Sequence, residues 1–264
     1  LEDITKEFRN FFMNVTFPTL LDQNLKNLSA QRASLSHTDQ QSEYEELLKQ
    51  SERAGRPIFV FDSGTTPAVK QYRNKLLLAK CGALNFQCDE IGSNLMANTD
   101  LMNSFLELFD KGLIKNKLVK NTQDNVRDID LGGNTPANCL LFGTQDKIFD
   151  GSATEDLFYS FLEIGYARRC LFGIGKTMKA KSYYTMSAAE MYNQLIQPNN
   201  DATANKWSST FLKLANPAYY NRRIELPDDV AIQLLEYRKE CDIEADKLPE
   251  FAGTKKAELS HRHF

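Results

Sequence analysis

The chain has 264 residues, with 32 lysines and arginines against 35 aspartates and glutamates, and a formal net charge of -3. That balance carries no global basic signature for nucleic acid, so any contact with a polyanion has to be local. Five cysteines and three histidines show no zinc-ligand spacing, and no apolar run reaches the length of a membrane span; reduced core thiols in a cytoplasmic protein are the expectation.

A chain of this size suits one large domain, or one domain with an appended helical part. Residues 1–14 place Ile4, Phe8, Phe11 and Phe12 at helical spacing, and Pro18 is expected to end or redirect that helix. The first residue is Leu1, not methionine, which suggests a trimmed or excised segment. Residues 19–52 are rich in Gln, Asn, Ser and Glu, and Tyr44, Leu47 and Leu48 mark a second amphipathic helix. Pro57-Ile-Phe-Val-Phe61 predicts a strand. Thr65 or Thr66 before Pro67 predicts a helix start, and the helix runs to about Lys80 with Leu76, Leu77 and Leu78 turned inward.

The next run, Gly82-Ala-Leu-Asn-Phe-Gln-Cys-Asp-Glu-Ile-Gly92, reads as a buried strand through Leu84, Phe86 and Cys88 that stops at two adjacent carboxylates, Asp89 and Glu90. In open parallel sheets ligands bind outside the carboxyl ends of the strands. Two acids there suit hydrolysis of a magnesium nucleotide, the first holding the ion and the second polarising the attacking water. A plainer role is to cap the following helix. Work as an acid-base pair on a single bond is the poorer reading, because neighbouring strand residues point to opposite faces.

A helix is expected from Asn94 to Phe109, followed by Lys111 to Lys120, where Lys115, Lys117 and Lys120 alternate with apolar residues. These lysines either grip phosphates or protect an exposed strand edge. Asn138-Cys-Leu-Leu-Phe-Gly-Thr-Gln145 predicts a strand beside the Asp-Glu strand, with Thr144 and Gln145 at its carboxyl end as candidates to sense a terminal phosphate. A helix follows between Asp150 and Ile164, then in Gly165–Gly175 Arg168 and Arg169 stand immediately before a third apolar strand. Arginines so placed need several acceptors, and a phosphate is one possible partner. Gly175-Lys176-Thr177 matches only the tail of a phosphate loop, since Cys170 stands where the first glycine is required. Beyond Ser187 the pattern is helical: Ala188 to Ile196, Ala204 to Leu214, a short edge strand from Arg222 to Pro227, and a long helix from Asp228 through Asp246.

Thr65-Thr-Pro67 before a helix, Leu84–Glu90, Asn138–Gln145, Tyr166–Gly173 and the closing Glu258-Leu-Ser-His-Arg-His-Phe264 resemble, in order and spacing, the phage and plasmid replication proteins that carry a P-loop helicase or ATPase domain, often beside a primase domain. The resemblance implies an α/β fold: a three-layer, mostly parallel sheet flanked by helices (P-loop NTPase-like, RecA/AAA-like) over residues 1–180, with a C-terminal helical extension over 181–264. It implies ATP and Mg²⁺ as cofactors, Asp89 as the metal-side acid, Glu90 as the base, and Thr144 or Gln145 as the phosphate sensor. Arg168 or Arg169 becomes an arginine finger or in-cis sensor. Lys115, Lys117 and Lys120 become contacts to single-stranded DNA, in a homo-oligomeric ring, most simply a hexamer, working with a primase or other replication proteins. The phosphate loop of such proteins precedes the opening helix, so here it is expected upstream of residue 1. The alternative is a non-catalytic scaffold or interaction module of a replication complex.

Overall fold

Pro18 lacks an N–H, and its ring would press on the carbonyl of Asn14 in a regular helix. The chain accommodates it without stopping. In the computed structural model, which describes residues 2–32, 37–91, 99–114, 131–167, 169–173, 185–196, 202–222 and 225–247, helix α1 (Glu2–Phe11) runs through a wider π turn at Phe12–Thr16 into α2 (Phe17–Arg32). The Phe17 N–H reaches back to Phe12 O, and the widened turn frees the space the proline ring needs. The expected break at Pro18 is thus a bulge within one long helix.

Helix α3 (His37–Arg53) packs on α2, and Leu25, Leu47 and Leu78 form a small core between them and α4 (Thr66–Ala79). Asn24 is buried there and donates through Nδ2 to Leu78 O at 2.6 Å. Helix α4 has the expected ends: Thr65 Oγ1 accepts from Ala68 N–H, Pro67 stands in the first turn, and Lys80 closes the helix in the left-handed region at φ 49°.

Strand β1 (Leu84–Cys88) buries Leu84, Phe86 and Cys88, and β2 (Ala137–Leu141) pairs with it in parallel, Leu84 opposite Ala137 and Cys88 opposite Leu141. On the other side of β1 the expected strand at 57–61 contributes a single bridge, Phe61 with Phe86. The cause is local: Tyr72 Oη bonds both the N–H and the C=O of Ile58, and Asn85 Nδ2 takes Phe59 O at 2.8 Å, so side chains use the groups a ladder would need.

Helix α5 (Thr99–Lys111) connects the two strands and buries Leu101, Met102, Phe105 and Leu108. After β2 come a short α6 (Gln145–Ile148), α7 (Ala153–Phe161) with Ser152 as its N-cap, and a π turn at Leu162–Tyr166 that contains Gly165 at φ 121°. Residues 170–173, expected as a third strand, are irregular, with Leu171 and Phe172 exposed. The described residues of the expected edge strand, 222 and 225–227, are irregular as well. Helix α8 (Ala188–Ile196) precedes α9 (Ala202–Leu214), which lies against α1, and α10 (Asp228–Asp246) has the bounds its sequence predicts. One core links Phe12 and Phe17 with Phe86, Phe105, Phe161 and Tyr166. The expected domain boundary at 180 lies outside the described residues.

Candidate functional site at the carboxyl edge

Because β1 and β2 run the same way, their carboxyl ends share one edge. Pairing continues past both strands: Phe142 N–H donates to Cys88 O and Ile91 N–H to Phe142 O, each at 2.8 Å. Asp89 and Glu90 therefore stand on that edge across from Phe142 and Gly143. A Cβ at Gly143 would lie 2.5 Å from Ile148 Cδ1, so a side chain there would require the isoleucine to shift. The chain then places Thr144 in an extended conformation at the N-cap of α6, with its side chain making no capping bond, and Gln145 as the first residue of that helix. The structure brings Asp89, Glu90, Thr144 and Gln145 to one edge.

Asp89 is exposed, and its Oδ1 accepts from Gln87 Nε2 at 3.0 Å. Glu90 is half-buried, and its backbone carbonyl accepts the Cys88 thiol at 3.1 Å. Thr144 and Gln145 are exposed. Among the described residues no group of three or more His, Cys, Asp or Glu side chains is placed to hold a metal ion. A magnesium ion arriving with a nucleotide asks for less: one or two carboxylates, with water and phosphate oxygens completing the shell. An exposed Asp89 carboxylate fits that donor set.

Arg169 stands elsewhere. Its Nε and Nη2 bond both carboxylate oxygens of Asp110 at 2.8 and 2.6 Å, Nη1 donates to Gly165 O at 2.9 Å, and its guanidinium lies 6.0 Å from the centre of the Phe109 ring. Asp110 lies near the far end of α5, beside Gly112, whose carbonyl accepts from Thr135 N–H where β2 begins. Arg169 is thus held at the C-terminal end of α5, whose Gly112 meets Thr135 just before β2. Its bidentate clamp closes α5 onto the turn after α7. Arg168, Lys115, Lys117 and Lys120 lie outside the described residues.

Sequence reasoning missed a cleft of about 660 Å³ at the amino edge, lined by residues of α1, α4, β1, β2 and the turn at 220–221. Its signal was present as asparagines inside apolar strands: Asn85 and Asn138 are register partners, with Asn138 Nδ2 donating to Asn85 Oδ1 at 2.8 Å. Among the described residues no helix is long and apolar enough to cross a membrane. Comparison of the chain with protein-family models, with curated proteins and with solved structures found no match.

Proposed function

We propose that this chain is the hydrolysis-bearing part of an ATP-dependent DNA helicase or translocase of the phage replication type. The observation that supports it is the parallel pairing of β1 with β2, which sets an Asp-Glu pair and a Thr-Gln pair side by side on the edge where open sheets bind ligands. In this reading Asp89 holds the Mg²⁺ of Mg-ATP, an ion that offsets charge on the phosphate oxygens. Glu90 accepts a proton from the water that attacks the terminal phosphorus as the bond to ADP breaks. Thr144 or Gln145 contacts the terminal phosphate. Single-stranded DNA, a homo-oligomeric ring and a primase partner belong to the same proposal, with Arg168 as the candidate finger, since Arg169 is occupied within its own chain.

Hydrolysis requires a phosphate loop from outside residues 1–264, because no G-x-x-x-x-G-K-[ST] occurs within them. The test is single-strand-stimulated ATPase activity of a protein holding both this chain and such a loop, wild type beside Glu90→Gln. Loss of a general base predicts a fall of about 10²-fold or more with nucleotide binding retained. Equal activity in the two proteins removes Glu90 from the mechanism.

A non-catalytic scaffold is the second reading, favoured by α10, whose Ile232, Leu234, Leu235 and Ile243 are exposed on several sides of one helix. It predicts no hydrolysis by either protein.

A further inference from the structure

The aromatic wall of the amino-edge cleft comes from four segments of the chain. Phe8 and Phe12 come from the first helix, Phe59 and Tyr72 from the strand edge and α4, and Tyr220 from the turn after α9. Phe59 meets its neighbours edge-on, 5.6 Å from Phe8 and 5.8 Å from Phe12, Tyr220 lies tilted 5.6 Å from Phe12, and Phe8 stacks on Phe12 at 6.0 Å. Such a wall offers faces and edges to a flat ring.

Polar groups line the cleft as well: Asn85, Asn134, Asn138 and Asn221, with Thr135 and Lys80. Asn138 spends one N–H on Asn85 and keeps its carbonyl oxygen as an acceptor. Thr135, 2% exposed, also lines the cleft, and its buried hydroxyl has no hydrogen-bond partner within the described protein. An unpaired buried hydroxyl is destabilising, and a polar group of a bound water or ligand would satisfy it. Among the described residues the lining carries Lys80 and no carboxylate, and the Arg9 guanidinium lies 5.4 Å from the centre of the Phe59 ring. Cations are therefore disfavoured and a single negative charge is welcome. The volume falls within the range of small-molecule sites, roughly 300–1,000 Å³.

We propose that this cleft binds a flat heteroaromatic molecule with one donor and one acceptor on its ring edge and one anionic group, the chemistry of an adenine mononucleotide. The ring lies against Phe59 and Tyr220, the edge donor meets Asn138 Oδ1, the edge acceptor meets the Thr135 hydroxyl, and the anion faces Lys80. The site lies at the opposite end of the strands from Asp89 and Glu90 and does not depend on hydrolysis there. Because its walls come from α1, α4 and the 220–221 turn, occupancy ties these segments together.

The test is calorimetric titration of this chain with AMP, with adenosine in parallel. Four substitutions accompany the wild type: Lys80→Asn, which keeps a residue tolerant of the left-handed conformation at that position, Thr135→Val, Asn138→Leu and Glu90→Gln. The expected result is saturable binding of AMP, tighter than adenosine, weakened about 3- to 10-fold by each of the three cleft substitutions, as for loss of one hydrogen bond or charge contact, and unchanged in Glu90→Gln. Thr135→Val is further expected to leave the melting temperature of the free protein unchanged or raised, while reducing the rise that AMP produces. The proposal is overturned by absence of saturation up to about 5 mM AMP, weaker than any useful site of this size. Binding that the cleft substitutions leave untouched, or that Glu90→Gln removes, overturns it equally. Those outcomes are separate from the ATPase result, which reads the other edge.

Discussion

Tyr166 is 3% exposed, its ring stacked on Phe161 with centres 4.0 Å apart, and its hydroxyl donates to Met102 O at 2.7 Å. One phenol thereby joins the turn after α7 to the first turn of α5. Tyr166→Phe keeps the ring and removes the bond, so a loss of about 1 kcal/mol is expected, read as a shift in the urea midpoint with unchanged slope. Buried cations are handled the same way. Lys75 donates to the backbone carbonyls of Ser51 and Gly55, and burial pulls its pKa below the usual lysine value. Arg73 reaches the carbonyls of Gly112 and Gly133, so α4 holds both sides of the approach to β2. Neither cation is available to a phosphate, which separates them from Lys115, Lys117 and Lys120, the lysines the sequence offers.

At the scale of elements, the long helix through α1 and α2 matters most for how the chain closes on itself. Thr16, fully buried in its π turn, donates to Ala215 O at the end of α9, across 199 positions of sequence. Thr16→Val retains the shape and leaves a buried carbonyl unpaired. The expected cost is about 1–3 kcal/mol, visible as a lower melting temperature and as earlier proteolytic cleavage around 202–222. The pair β1 and β2 owes its stability to packing, since two strands alone are marginal. Phe61, Phe86 and Phe105 supply it, their ring centres 5.5 to 6.1 Å apart across the bridge, the strand and α5.

The whole molecule couples stability to alkaline pH through its buried acids. Burial pushes the Cys81 and Cys139 thiols from 9 up to about 12 and the Tyr220 phenol from 10 up to about 12. Each is kept protonated by the fold and ionises more readily when unfolded. Their contribution is complete below about pH 9 and declines as pH rises toward 12, by less than about 1.4 kcal/mol per pH unit for each, since Cys139 and Tyr220 are only partly buried. Urea midpoints measured from pH 8 to about 10.5 should therefore fall steeply above pH 9; a flat profile would contradict the burial. The two strand edges also divide the surface at this scale. The carboxyl edge presents Asp89, Glu90, Thr144 and Gln145, while the amino edge presents an aromatic cleft whose described lining holds a lysine and no carboxylate.

What the sequence by itself determined is what acts over a few residues. Thr65, Pro67 and Lys80 set the ends of α4, alternate burial of Leu84, Phe86 and Cys88 set β1, and the acidic start at Asp228 set α10. The order Asp-Glu strand, helix, Thr-Gln strand was legible too, and with it half of the candidate site. Only the tertiary structure decided that Pro18 bends a helix without ending it, that 57–61 yields its backbone groups to Tyr72 and Asn85, that Arg169 belongs to Asp110, and that five aromatic rings from distant segments enclose a cleft. Each of these rests on partners far apart in the chain, whose meeting depends on the packing of the whole core rather than on any local preference.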